Sequence, residues 1–213
     1  MTSAGRLVVE TLSYDGGRAV SVWMPSTTPT GVVFAADGAS AARWGLDLPV
    51  EPSVAIVGVH ALADQRARLE EYSPVFDAER FAAHESFFVE QVRDWARQRF
   101  GLNLPPERAA VFGASAGGEL ALALGLRHPD VYGAILAGSP GAGYQPPAEL
   151  AGQPPRTYLV AGDQEPFFLR NAGRWARALN AAGAEIRFER RDAGHGSALW
   201  QKEFPLMLDW AFA

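Results

Sequence analysis

Apolar residues along this chain fall into short continuous runs that alternate with longer stretches at helical spacing. Residues 6–14 and 18–24 are β-rich and flank Asp15-Gly16-Gly17, a pattern that predicts a hairpin. Residues 26–30 form a Pro/Thr turn, and residues 31–36 (Gly-Val-Val-Phe-Ala-Ala) are a continuous apolar run of the buried-strand type that stops at Asp37-Gly38. A second buried strand is expected over 53–59, ending at His60. Residues 61–79 are polar and read as loop. From 80 to 100 the apolar positions Phe81, Phe88, Val92 and Trp95 recur at helical spacing, with Gly101 to close the helix and Pro105-Pro106 to bar its continuation.

The second half repeats the alternation. An apolar run ends at Gly113, and an Ala/Leu-rich helical pattern starts just after Ser115 and runs to about His128-Pro129. Strands are expected over 133–137, 157–161 and 185–190, with a Gly/Pro-rich loop over 138–152. A helix carrying Phe168, Ala172, Trp175 and Leu179 on one face follows Gly162-Asp163. The segment after Ala193-Gly194-His195-Gly196 reads as helical, with Pro205 beginning or kinking it. A hairpin followed by alternating strands and helices predicts an α/β fold, a mostly parallel central sheet with helices on both faces, in a single domain over residues 1–213.

Composition narrows the reading. With 213 residues, 48% hydrophobic and 20% charged, the chain is expected to be an ordinary globular domain able to bury roughly 70% of its unfolded surface. The net charge of −5 argues against nucleic acid or an anionic membrane as partner. The sequence has no cysteine, which excludes disulfides and thiolate metal sites. The first ten residues lack the apolar core of a signal peptide, and no apolar run is long enough to span a bilayer, so a cytoplasmic location is expected.

Candidate chemistry begins at Gly113-Ala114-Ser115-Ala116-Gly117. Gly-x-Ser-x-Gly between a strand and a helix is the nucleophile-elbow pattern, in which small neighbours let a strained turn project the serine oxygen. The new helix points unpaired N–H groups at the place where an oxyanion would form. In a parallel sheet functional loops gather beyond the carboxyl ends of the strands, and here those ends carry Asp37-Gly38, Ser115, Asp163/Glu165 and His195. Ser, then acid, then His is the α/β-hydrolase order. Of the four histidines, His195 sits in a Gly-flanked loop after the final strand. His84 lies within a helix, His128 sits at a helix end, and His60, at a strand end, is its rival as base.

These segments resemble the esterase family that includes the enterochelin (ferric-siderophore) esterases and the esterase D-type hydrolases. The likeness is carried by Val33-Phe34-Ala35-Ala36-Asp37-Gly38, by Arg68-Leu69-Glu70-Glu71-Tyr72-Ser73-Pro74, by Arg108 through Pro129, by Gly162-Asp163-Gln164-Glu165-Pro166, and by Gly194-His195 with Trp200 following. It covers nearly the whole chain from about Gly31. Full-length enterochelin esterases carry an additional N-terminal domain that this chain has no room for, so the resemblance implies esterase chemistry, on a siderophore ester or another acyl ester. It implies Ser115 as nucleophile, His195 as base, and Glu165 as the acid, by the family's G-x-x-[Asp/Glu]-Pro pattern. Asp163 is the alternative acid, and Asp192 is a third.

An oxyanion hole is expected from the backbone N–H of Ala116 and that of Gly38 or Ala39. Trp44, Phe167, Phe168 and Trp200 are candidates to line a substrate pocket. Asp37 is expected to hold its loop, and Arg68, Glu70 and Glu71 to form structural ion pairs, with Arg68 also able to meet an anionic substrate. The expected function is a serine hydrolase that cleaves small-molecule carboxylic esters through an acyl-enzyme, with no metal or cofactor. Acyl transfer to an alcohol and a non-catalytic binding protein on the same fold are the alternatives.

Overall fold

The computed structural model describes residues 5–48, 52–150 and 152–213. The opening runs form β1 (Gly5–Leu12) and β2 (Arg18–Pro25), an antiparallel hairpin. Then come β3 (Gly31–Ala35), β4 (Val54–Val59), β5 (Ala109–Ala114), β6 (Ala134–Gly138), β7 (Arg156–Gly162) and β8 (Ile186–Arg191). They form one sheet in the order β1-β2-β4-β3-β5-β6-β7-β8. The β1/β2 and β2/β4 pairs are antiparallel, and every pair from β4 to β8 is parallel.

The buried strands read as unbroken apolar runs because both faces of the sheet are covered. Alternate side chains enter different cores. Val32, Val57 and Val111 meet α4 (Val92–Phe100), α5 (Ala116–Arg127) and α6 (Pro166–Ala181) on one face. Val33, Ile56 and Phe112 meet α1 (Gly38–Trp44) and α7 (Ser197–Phe212) on the other. Each buried side chain of this size stabilises by about 1.5–3 kcal/mol relative to exposure.

Three expectations change. Residues 61–79 are not simply loop: they contain α2 (Gln65–Tyr72) and the start of α3 (Ala78–Ser86). Helix α2 escapes a hydrophobic pattern because its inward residues include a charge. Glu71 is fully buried and pairs bidentately with Arg18 at 2.8 and 3.0 Å, and Asp64 caps the first turn by accepting from Ala67 N. The helix expected over 80–100 is α3 and α4 joined through a π-helical turn, Phe87–Gln91, where Phe87, Phe88 and Val89 are all buried. Three consecutive inward residues exceed what one α-helical stripe supplies, and the wider turn accommodates them. Of the two roles expected for Pro205 a helix start is excluded, since α7 begins at Ser197 and runs through it.

Candidate active site

The strand end of β5 delivers Ser115 into a sharp turn. Its φ of 57° and ψ of −122° are sparsely populated for a residue with a side chain, and backbone bonds hold it there. Ser115 N donates to Gly138 O at 2.9 Å, and Ser115 O accepts from Gly118 N at 3.0 Å and Gly141 N at 3.1 Å. Gly113 is required by space: a Cβ there would lie 1.8 Å from the carbonyl oxygen of Gly117. Strand and helix therefore cross backbone to backbone beneath the serine.

Three candidate side chains meet in a row. His195 Nε2 lies 3.1 Å from Ser115 Oγ, and His195 Nδ1 lies 2.5 Å from Glu165 Oε2. Phe168 stacks on the imidazole at 3.8 Å between ring centroids, and Trp200 meets its edge at 4.9 Å. Glu165 is only 5% exposed, so its carboxylate needs donors in place of water. The Ser139 hydroxyl and Gly162 N supply them, both donating to Oε1 at 2.6 Å. Ser139 in turn accepts from Trp200 Nε1 at 2.9 Å.

The other candidates lie elsewhere. Asp163 pairs with Arg190 at 2.8 Å on the surface, and Asp192 accepts from Gln164 Nε2 at 2.9 Å. His60 bonds Ser21 at 2.6 Å, and burial lowers its pKa. His128 faces Glu85 at 2.9 Å. His84 is fully buried beside Tyr72, Phe87 and Phe88, and desolvation pushes its pKa down to about 3.

A cavity of about 400 Å³ opens in front of Ser115. Trp44, Phe112 and Leu62 supply apolar wall, and Ser40, Gln65 and Arg68 supply polar groups. Of the four expected pocket aromatics, Trp44 and Trp200 line this cavity. Phe168 is taken up by the stack on His195, and Phe167 is 49% exposed and packs against Phe168. Ala116 opens α5 directly after the serine, and Gly38 and Ala39 follow Asp37, which lines the cavity.

Ser139 was not among the residues expected from the sequence. Its signal was available in position alone: it directly follows the apolar run of β6, at the sheet end where Ser115 and Glu165 also lie.

The family profile described as "Putative esterase" matches residues 17–211. The chain belongs to this esterase family. It is a carboxylic ester hydrolase. No curated protein matches the sequence. Among solved structures, a ferulic acid esterase is similar at 18% identity and a TM-score of 0.78, over 99% of this chain and 98% of that one. The S-formylglutathione hydrolase FrmB of Staphylococcus aureus is similar at 15% identity and 0.75, over 100% and 98%. The enterobactin esterase FES of Shigella flexneri, solved in the presence of enterobactin, is similar at 19% identity and 0.79 over 98% of this esterase. There the match spans 58% of the neighbour's length. At these identities the likeness is one of fold, and it is the α/β-hydrolase fold expected from the sequence. Among the described residues no helix is long and apolar enough to cross a membrane.

Proposed function

We propose that the esterase works through Ser115, His195 and Glu165 as nucleophile, base and acid, forming an acyl-enzyme on Ser115. The observation that carries this reading is the unbroken row Ser115 Oγ, His195 Nε2, His195 Nδ1, Glu165 Oε2, with separations of 3.1 and 2.5 Å. A serine hydroxyl is a weak nucleophile until a neighbouring base takes its proton. As Ser115 Oγ attacks the ester carbonyl carbon, its proton passes to His195 Nε2. Glu165 holds the other proton on Nδ1 and stabilises the imidazolium that forms. The carbonyl oxygen becomes an oxyanion, received by the N–H of Ala116 and that of Gly38 or Ala39. Such donors are worth about 3–4 kcal/mol each in the transition state. The tetrahedral species then expels the alcohol, which takes the proton from Nε2. Water repeats the sequence against the acyl-enzyme and releases the carboxylic acid.

The substrate is a small-molecule ester whose reacting end fits the cavity of about 400 Å³ between Trp44 and Trp200. Apolar walls with a few polar groups suit an uncharged acyl or aryl ester. The test is intact-protein mass spectrometry during turnover of p-nitrophenyl acetate at low temperature. The reading expects one acetyl group per chain, mapped to the peptide holding Ser115. Full turnover with no acylated protein, and no initial burst of nitrophenol, would oppose it.

A further inference from the structure

Helix α2 holds Asp37, at the cavity wall, through two side chains. Arg68 grips Asp37 bidentately, Nε to Oδ1 at 2.9 Å and its terminal nitrogen to Oδ2 at 2.7 Å. The Tyr72 hydroxyl accepts from Asp37 N at 3.2 Å. Arg68 lies over the Tyr72 ring at 4.8 Å, and Tyr72 is fully buried. Both the main chain and the side chain of Asp37 are thus held from one helix. That helix is anchored in turn by the buried Glu71–Arg18 pair.

Asp37 occupies a special place. It has a left-handed backbone, φ 52° and ψ 43°, uncommon for a residue other than glycine. The next residue, Gly38, is pressed so close to β4 that a Cβ would lie 1.9 Å from the carbonyl carbon of Gly58. On the opposite side, Asp37 Oδ2 lies 3.1 Å from where a Cβ on Gly117 would stand, two residues beyond Ser115. The carboxylate therefore lies against Gly117 of the elbow helix, while its own backbone leads into the loop of Gly38 and Ala39, the two proposed sources of oxyanion donors.

From this juxtaposition we infer that Asp37 and Arg68 are positioning residues for the oxyanion hole, fixing its two halves relative to each other. This rests on the assignment of Ser115 and the donor groups above.

The experiment measures kcat and KM for p-nitrophenyl acetate, and inhibition by an aryl trifluoromethyl ketone that forms a tetrahedral adduct on serine. The proteins are wild type, Arg68→Gln, Arg68→Lys, Asp37→Asn and the double variant Asp37→Asn/Arg68→Gln. Arg68→Gln should lower kcat by about ten- to a hundredfold, leave KM within about twofold, and weaken the ketone by a similar factor. The double variant should fall no further than Arg68→Gln, since both changes remove one and the same clamp. Arg68→Lys keeps the charge without the fork and should fall between Arg68→Gln and wild type, which keeps the test open should Arg68→Gln not fold. A raised KM with unchanged kcat would make Arg68 a substrate contact and overturn the inference. Unchanged kinetics, or losses from Arg68→Gln and Asp37→Asn that add in the double variant, would overturn it too. Fluorophosphonate labelling of Ser115 in each variant separates the two levels. A wild type that is active yet unlabelled at Ser115 defeats the parent assignment, whereas kinetic indifference with normal labelling defeats only the clamp.

Discussion

Replacing Glu165 by glutamine tests the polarity of the whole row. In the native site Oε1 receives two donors, the Ser139 hydroxyl and Gly162 N, each at 2.6 Å. The amide nitrogen of a glutamine placed there would face the Gly162 N–H, a donor against a donor in a buried site, at a cost of about 1–3 kcal/mol. The glutamine oxygen therefore keeps that position, and its NH₂ faces His195 Nδ1, where the carboxylate Oε2 stood at 2.5 Å. To accept from that NH₂, Nδ1 must give up its proton, and the imidazole carries it on Nε2 instead. Nε2 then presents a hydrogen to Ser115 Oγ at 3.1 Å and cannot take the serine proton. Loss of the correct tautomer, with geometry retained, lowers kcat by on the order of 10²–10⁴-fold. The assay compares kcat of Glu165→Gln, Asp163→Asn and Asp192→Asn on p-nitrophenyl acetate, alongside thermal melts. Asp163 is in an exposed ion pair with Arg190, worth about 0.2–1 kcal/mol of stability at most, and its amide should be fully active. A Glu165→Gln enzyme within tenfold of wild type, or a crippled Asp163→Asn enzyme, would refute the reasoning.

Three further outcomes are expected. Ser139→Ala strips one donor from Glu165 and leaves Trp200 Nε1 without its acceptor; kcat should fall about tenfold and unfolding free energy by about 1–3 kcal/mol, read from activity and urea titration, and an unchanged enzyme would remove Ser139 from the account. Gly113→Ala puts a methyl 1.8 Å from Gly117 O, so backbone must move at the elbow; the variant should lose several kcal/mol or fail to fold, and a wild-type melting temperature would contradict the crossing. His84 has a folded pKa of about 3 through burial, although Glu71 lies 4.0 Å away, so in the interval from about pH 6.5 down to about 3 the unfolded chain binds a proton that the folded one does not. Stability is then full above pH 6.5 and falls as pH drops, by up to a few kcal/mol; His84→Phe should flatten that part of the curve in urea melts, and an identical slope would contradict the assignment.

The parallel sheet and the elbow were legible because both depend on local pattern. Apolar runs such as 31–36 identify strands covered on both faces, and Gly113 is demanded by the backbone crossing while Gly117 leaves space for Ala36 and Asp37. Glu165 and His195 could be proposed from strand-end positions and from the family likeness. Distances from the imidazole to Glu165, Asp163 and Asp192 depend on how two loops pack, which no spacing encodes. Helix α2 was hidden for a different reason: its buried partner contacts are ionic, Glu71 with Arg18 and Arg68 with Asp37, and a search for apolar periodicity passes over charges that turn inward. The same blindness explains Phe168. Helical spacing assigns it to a face but does not tell a core contact from a stack against the imidazole. Ser139 belongs to a third kind, a residue whose role exists only because β6 lies between β5 and β7 in the sheet.

The central claim is that Ser115 is the activated nucleophile of this esterase, and covalent labelling tests it most directly. The protein is treated with a fluorophosphonate, digested, and the adduct located by tandem mass spectrometry, with Ser115→Ala and His195→Ala run in parallel. A single adduct on Ser115, absent from Ser115→Ala and strongly slowed in His195→Ala, is the predicted result. An adduct on another serine, or labelling of Ser115→Ala at the wild-type rate, would contradict the claim.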